Sequence, residues 1–332
     1  MIDIFGYQIA RDLFLTILGI IVAGIIAFFT WIRPRRARLR EQDEERLQRI
    51  EKQSKETSEN IKLIQRHFDI PIYVDELPSA RPSVFVPFLK GLKLMMQLKW
   101  DEAILEFKQA LKDAKTSQLV ALYNFIGLCY IVYDKLDLAL ESFNNSLTLA
   151  SELDSKEGEA VALGMLAITF RNKGELDKSL EYYQNSLVVC REINDKKLEA
   201  AMIFSLGLIY QMKGVLDKAE KSYEEALKIF RVIGEKEGEA KSLGNLGLIY
   251  QANGLLNEAF RSFLSALKIN KKLGRKKGIA VQINNIGTVF EAKREKEKAL
   301  RYFEDALKIF TEIGEQKGIE QTKENIKRLK GE

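Results

Sequence analysis

With 332 residues, 52 basic against 47 acidic side chains and a net charge of +5, the chain is long enough for one large or two modest domains and too evenly charged to be read as a nucleic-acid binder. Its two cysteines, Cys129 and Cys190, lie in helical patterns with no partner nearby in sequence, which excludes a disulfide framework and suits a reducing compartment. The single histidine, His67, has no acidic or cysteine cluster around it, which excludes a histidine-based metal site or general base.

Residues 1–12 form a short leader to Leu13–Ile32, a run of 20 residues without a charge. At about 1.5 Å per residue such a helix reaches the thickness of a bilayer's hydrocarbon core, so a transmembrane helix is expected over 13–32. Arg33, Arg35, Arg36, Arg38 and Arg40 follow it at once, whereas only Arg11 precedes it. That asymmetry predicts a single-pass membrane protein with its N-terminus outside and everything after the span in the cytoplasm. Gly19, Ala23 and Ala27 are spaced by four, a small-residue face through which two such helices associate. Homo-oligomerisation is therefore a possible use of the span.

From 33 to 68 the chain is strongly charged and lacks glycine, which predicts a helical stalk. Leu47, Ile50, Ser54, Thr57, Ile61, Ile64 and Phe68 alternate spacings of three and four; this is a heptad seam with two polar positions, read either as a short coiled coil or as a solvated helix. Residues 69–82 form a linker. Pro71, Pro78, Pro82 and Pro87 cluster here, and proline removes a backbone donor and disfavours helix in the residue before it.

Beyond the linker the sequence repeats itself with a period of 40 residues. Gly174, Gly214 and Gly254 share one column; Ala167, Gly207 and Gly247 a second; Phe170, Tyr210 and Tyr250 a third. Each unit reads as two amphipathic helices joined by a tight turn, and six units fill 83–318. A small residue opens each second helix (Ala139, Ser179, Ala219, Ala259, Ala299) and a large aromatic follows four residues later (Phe143, Tyr183, Tyr223, Phe263, Phe303), so that small packs beside large at the helix crossing. In the sixth unit Arg294 replaces the turn glycine. A last, polar helix within 319–332 is expected to cap the array.

At Leu243, Leu246, Gly247, Tyr250, Ala259, Phe263 and Ala266 the order and spacing resemble the tetratricopeptide repeat family. The 40-residue unit with its Ile233–Ala240 ending is similar to the long repeats of LGN-like and many prokaryotic members. The resemblance implies an all-α fold: after the membrane helix and stalk, a right-handed α-solenoid of about six helical hairpins. It also implies that first helices line a concave groove, into which project the residues three before and one after the Gly/Ala column. The first series is Phe88, Asn124, Gly164, Phe204, Gly244 and Asn284; the second is Leu92, Leu128, Ile168, Leu208, Leu248 and Thr288. The second is aliphatic in five of its six places, which suits an apolar-anchored peptide and not a carboxylate clamp. Phe204, flanked by the two glycines, is the expected hot spot.

No phosphate-binding loop, dinucleotide fingerprint, zinc signature or calcium loop occurs, so no cofactor and no enzymatic activity are expected. Lys268, Lys271, Lys272, Arg275, Lys276 and Lys277 form a basic corner that faces solvent, anionic lipid headgroups or an acidic partner. The expected function is a membrane-anchored scaffold binding a protein or peptide partner at the cytoplasmic face. The alternatives are a structural assembly factor acting by oligomerisation and, with least support from the residues, an enzyme.

Overall fold

The structure is a computed structural model and describes residues 82–331. The expected membrane span, the stalk with His67 and the linker up to residue 81 lie outside these residues. Among the described residues no helix is long and apolar enough to cross a membrane.

The chain divides after Ile193 into two compact units. The first contains three hairpins: α1 (Pro82–Met96) with α2 (Trp100–Leu111), α3 (Thr116–Val132) with α4 (Leu136–Glu152), and α5 (Lys156–Asn172) with α6 (Leu176–Glu192). The second contains α7 (Lys196–Met212) with α8 (Leu216–Val232), α9 (Lys236–Ala252) with α10 (Leu256–Lys272), α11 (Lys276–Ala292) with α12 (Lys296–Glu312), and the unpaired α13 (Gln316–Lys330). Within each unit a second helix packs on its own first helix and on the next one, and first helices touch where α3 meets α5, α9 meets α11 and α11 meets α13. Each hairpin starts a few residues before the frame read from sequence, and α1 runs through Pro87, which the proline cluster had placed beside the linker.

The packing columns behave as the repeat predicts. Ala219, Tyr223, Ala259, Phe263, Ala299 and Phe303 are all fully buried. A Cβ added at Gly247 would stand 2.5 Å from the Phe263 ring, so glycine is there because the aromatic of the second helix lies against the first helix's backbone. Tyr223, Leu227, Leu243, Leu246 and Ile249 form one core of the second unit; Phe263, Leu267, Ile286 and Val289 form the next along the array.

Both kinds of turn are left-handed. Between the helices of a hairpin, Gly214, Gly254 and Arg294 have φ of 73°, 76° and 62°. The amide of the residue after each donates back across the helix end, as in Leu255 N–H to the Tyr250 carbonyl at 2.8 Å. Between hairpins the same conformation recurs at Asp154, Asn194, Gly234, Gly274 and Gly314, a second column that the glycine pattern inside the hairpins does not reveal. Cys129 and Cys190 are buried and unbridged. Burial, with a smaller contribution from the Asp101 carboxylate, pushes the Cys129 thiol well above its usual pKa, the opposite of an activated nucleophile.

Candidate peptide-binding face

The first helices carry the twelve expected groove residues, and burial sorts them by series and by unit. In the second unit the series three before the glycine column turns inward. Phe204 is half-buried, with its ring 5.4 Å from that of Tyr223. Gly244 leaves no hollow, because a Cβ there would lie 3.0 Å from Nε2 of Gln282 on α11. Asn284 is buried, and its Oδ1 accepts from Thr322 Oγ1 at 3.2 Å and Asn325 Nδ2 at 3.3 Å, both on α13. Gly244 and Asn284 thus tie α9 to α11 and α11 to α13, whereas Phe204 packs on the second helix of its own hairpin.

The other series reaches the surface. Leu208 and Thr288 are half-buried and Leu248 is 37% exposed. Thr288 Oγ1 lies 2.7 Å from the Asn285 carbonyl and 3.2 Å from Gln251 Oε1 on α9. The residues that accompany this series are those three and seven positions earlier and four later, since they share its helical face. On α9 they are Asn245, Lys241 and Ala252; on α7 they are Ser205, Ala201 and Met212, the last 55% exposed. Sequence reasoning passed over them by following the family's two columns, although helical periodicity alone marks them.

In the first unit both series are enclosed: Phe88, Leu92, Asn124, Leu128, Gly164 and Ile168 are all buried. The Oδ1 of Asn124 has no hydrogen-bond partner among the described residues. The expected pairing of Gly164 with Phe204 joins residues of different units.

Charges are largely used at the hairpin ends. Glu239, at the start of α9, accepts from Arg231 Nε at 3.0 Å and Lys236 Nζ at 2.8 Å. Burial opposes its ionisation, yet these two cations outweigh burial and hold its pKa below the usual carboxylate value. Glu159 with Lys156 and Glu199 with Lys196 repeat the pairing. In the fourth place of that column Ile279 stands instead, and Lys276 turns to Glu312 at 2.6 Å. Of the basic corner, Arg275 pairs with Glu237 and Lys277 with Glu315 at 3.4 Å, so half of its six cations are matched by carboxylates. Among the described residues there is no group of three His, Cys, Asp or Glu side chains that could hold a metal.

The tetratricopeptide repeat model matches three overlapping stretches, 159–232, 198–272 and 238–312. A search of curated proteins gave no match. Among solved structures, the chain is similar to a signal-transduction ATPase with a tetratricopeptide repeat sensor from Pyrococcus horikoshii, with 17% identity and a TM-score of 0.62 over 71% of this chain and 37% of that one. It is similar to a Rap protein complexed with Competence and Sporulation Factor, with 12% identity and a TM-score of 0.55 over 77% of each chain. It is also similar to NprR in complex with its cognate peptide NprX, with 17% identity and a TM-score of 0.52 over 69% of this chain and 67% of that one. These likenesses are of fold. The 40-residue period, the small-beside-large crossings and the match over 159–312 identify that stretch of the chain as tetratricopeptide repeats.

Proposed function

We propose that the protein is a membrane-anchored scaffold that binds a protein or peptide partner along the first-helix face of its second unit. The observation that carries this reading is the stripe of α9. Leu248 stands exposed between Asn245 and Ala252, with Lys241 one turn before them. An apolar anchor point bordered by Asn245, whose amide donates to the Lys241 carbonyl at 3.1 Å, and by Lys241, whose ammonium pairs with Glu237 at 3.2 Å, suits an extended or helical segment with one or two apolar side chains. The peptide-bound NprR and the Rap protein complexed with Competence and Sporulation Factor support the reading by analogy of fold. The run 13–32 supplies the anchor, and the arginines after it put the repeats on the cytoplasmic side.

Selection of peptides from a displayed random library against the full chain tests the binding role. Enriched peptides should bind the native protein and lose about 10-fold or more in affinity to Leu248→Asp, since a charge in an apolar contact costs more than about 1.4 kcal/mol. Peptides that bind both proteins equally would rule out this face. Separately, removal of residues 1–33 should move the protein from the membrane fraction to the soluble one.

A further inference from the structure

The aromatic residues near the ends of the first helices carry cations. Lys178 Nζ lies 5.2 Å from the centre of the Phe170 ring, Lys218 Nζ 5.4 Å from that of Tyr210, and Lys298 Nζ 5.3 Å from that of Phe290. Each lysine stands near the start of the second helix of the same hairpin. In the hairpin of α3 and α4, Leu138 occupies that place. There Lys108 on α2 covers Tyr130 instead, at 5.7 Å. The negative face of each ring attracts the ammonium above it.

Tyr250 on α9 is the exception, for no cation of the described residues lies over its ring. Both places that supply a lysine elsewhere hold a glutamate here. Glu258 stands where Lys178, Lys218 and Lys298 stand. Glu224 stands where Lys108 does, since it follows the buried Tyr223 as Lys108 follows the buried Phe107. Glu220 adds a third carboxylate. One repeat on, Phe260 holds its place, with its ring 5.6 Å from that of Phe290. Burial and these three carboxylates raise the pKa of Tyr250, and burial with Glu224 and Asp217 raises that of Glu220. Glu220 and Glu224 are half-buried. Among the described residues none of the three glutamates has an ion-pair partner, although Lys221, Lys228 and Arg261 are close in sequence. Like charges held partly out of water without a counter-charge disfavour one another.

We propose that Tyr250, Glu220, Glu224 and Glu258 form a docking point for a lysine side chain of a partner protein. The partner supplies from outside the ammonium that the chain itself places on Tyr130, Phe170, Tyr210 and Phe290. The ring takes the cation on its face, and the three carboxylates around it gain the counter-charge they lack. A metal ion fits less well, because no group of three carboxylates among the described residues converges closely enough to hold one. The surface is distinct from the one that Leu248 marks. Tyr250 follows Leu248 by two residues, about 200° around the helix, so this proposal does not rest on the peptide reading.

Binding of fluorescein-labelled tetralysine to the full chain in uncharged detergent micelles, followed by anisotropy at low salt, tests this. Glu258→Lys should weaken binding by about 10-fold or more, because the chain then supplies its own cation. Glu304→Lys makes the same charge change on α12 and should leave the affinity within about 2-fold of the native value. Tyr250→Leu keeps the carboxylates and removes the aromatic face, and should weaken binding by about 3-fold. Equal losses in the two lysine variants would reduce the effect to overall charge and overturn the proposal. So would an unchanged affinity in Tyr250→Leu. A second measurement needs no ligand: Glu258→Lys should raise the thermal midpoint by about 2–4 °C, whereas Glu304→Lys should not. A midpoint lowered by Glu258→Lys would show that the ring does not accept a cation, and would overturn the proposal as well. None of these readouts involves Leu248, so failure here and failure of the peptide selection are separate results.

Discussion

The Phe204 ring packs against Tyr223, 5.4 Å away at an interplanar angle of 50°, and both belong to the core that Leu227, Leu243 and Leu246 build. Phe204 is thereby committed to the inside of the repeat. Phe204→Ala should lower stability by about 2–3 kcal/mol, somewhat less than a fully buried phenylalanine because the ring is only half-buried. Leu248→Ala should cost below about 1 kcal/mol, because much of that side chain already faces water. Urea denaturation of both variants, followed by helical circular dichroism, measures the two. Equal losses would contradict the division of labour drawn between the two series.

Gly244 tests the same division by addition. Its missing side chain is occupied by the amide of Gln282, so Gly244→Leu should overpack the α9–α11 contact and cost about 1–3 kcal/mol. A thermal midpoint equal to that of the native protein would mean that space is open beside Gly244 after all.

Arg294 holds φ at 62° where Gly214 and Gly254 hold 73° and 76°. A side chain in the left-handed region is strained relative to glycine, so Arg294→Gly should stabilise the protein by about 1 kcal/mol. Gly254→Ala should destabilise it by a similar amount. Chemical denaturation midpoints decide both, and a loss of stability in Arg294→Gly would mean that the arginine side chain contributes more than its backbone costs.

The pairing of Glu239 with Arg231 and Lys236 makes a pH-dependent contribution. The folded-state pKa of Glu239 is depressed, so its stabilisation is present above the ordinary glutamate pKa and is lost as pH falls through the lower folded value. The stability difference between the native protein and Glu239→Gln should be constant near neutral pH and shrink steadily through the acid range below the ordinary carboxylate pKa. A difference that stays the same down to the acid transition would show that the ionised form is not what the two cations hold.

Periodicity alone determined much of this protein. The all-α class, six hairpins, the small-beside-large crossings and the turn column follow from residues that recur every 40 positions, because a repeated chemical requirement leaves a repeated residue. Leu208, Leu248 and Thr288 were also legible as surface positions on first helices. The fate of the other series needed the tertiary structure. Sequence reads Gly244 as a hollow, but whether a neighbour fills it depends on which side chain the next helix points there, and that is Gln282. Asn284 reads as a groove amide, but the cap helix takes it through Thr322 and Asn325. Burial divided Leu128 from Leu248 although one column holds both, since a column fixes where a residue sits on its helix and only the surrounding chain decides what lies over it.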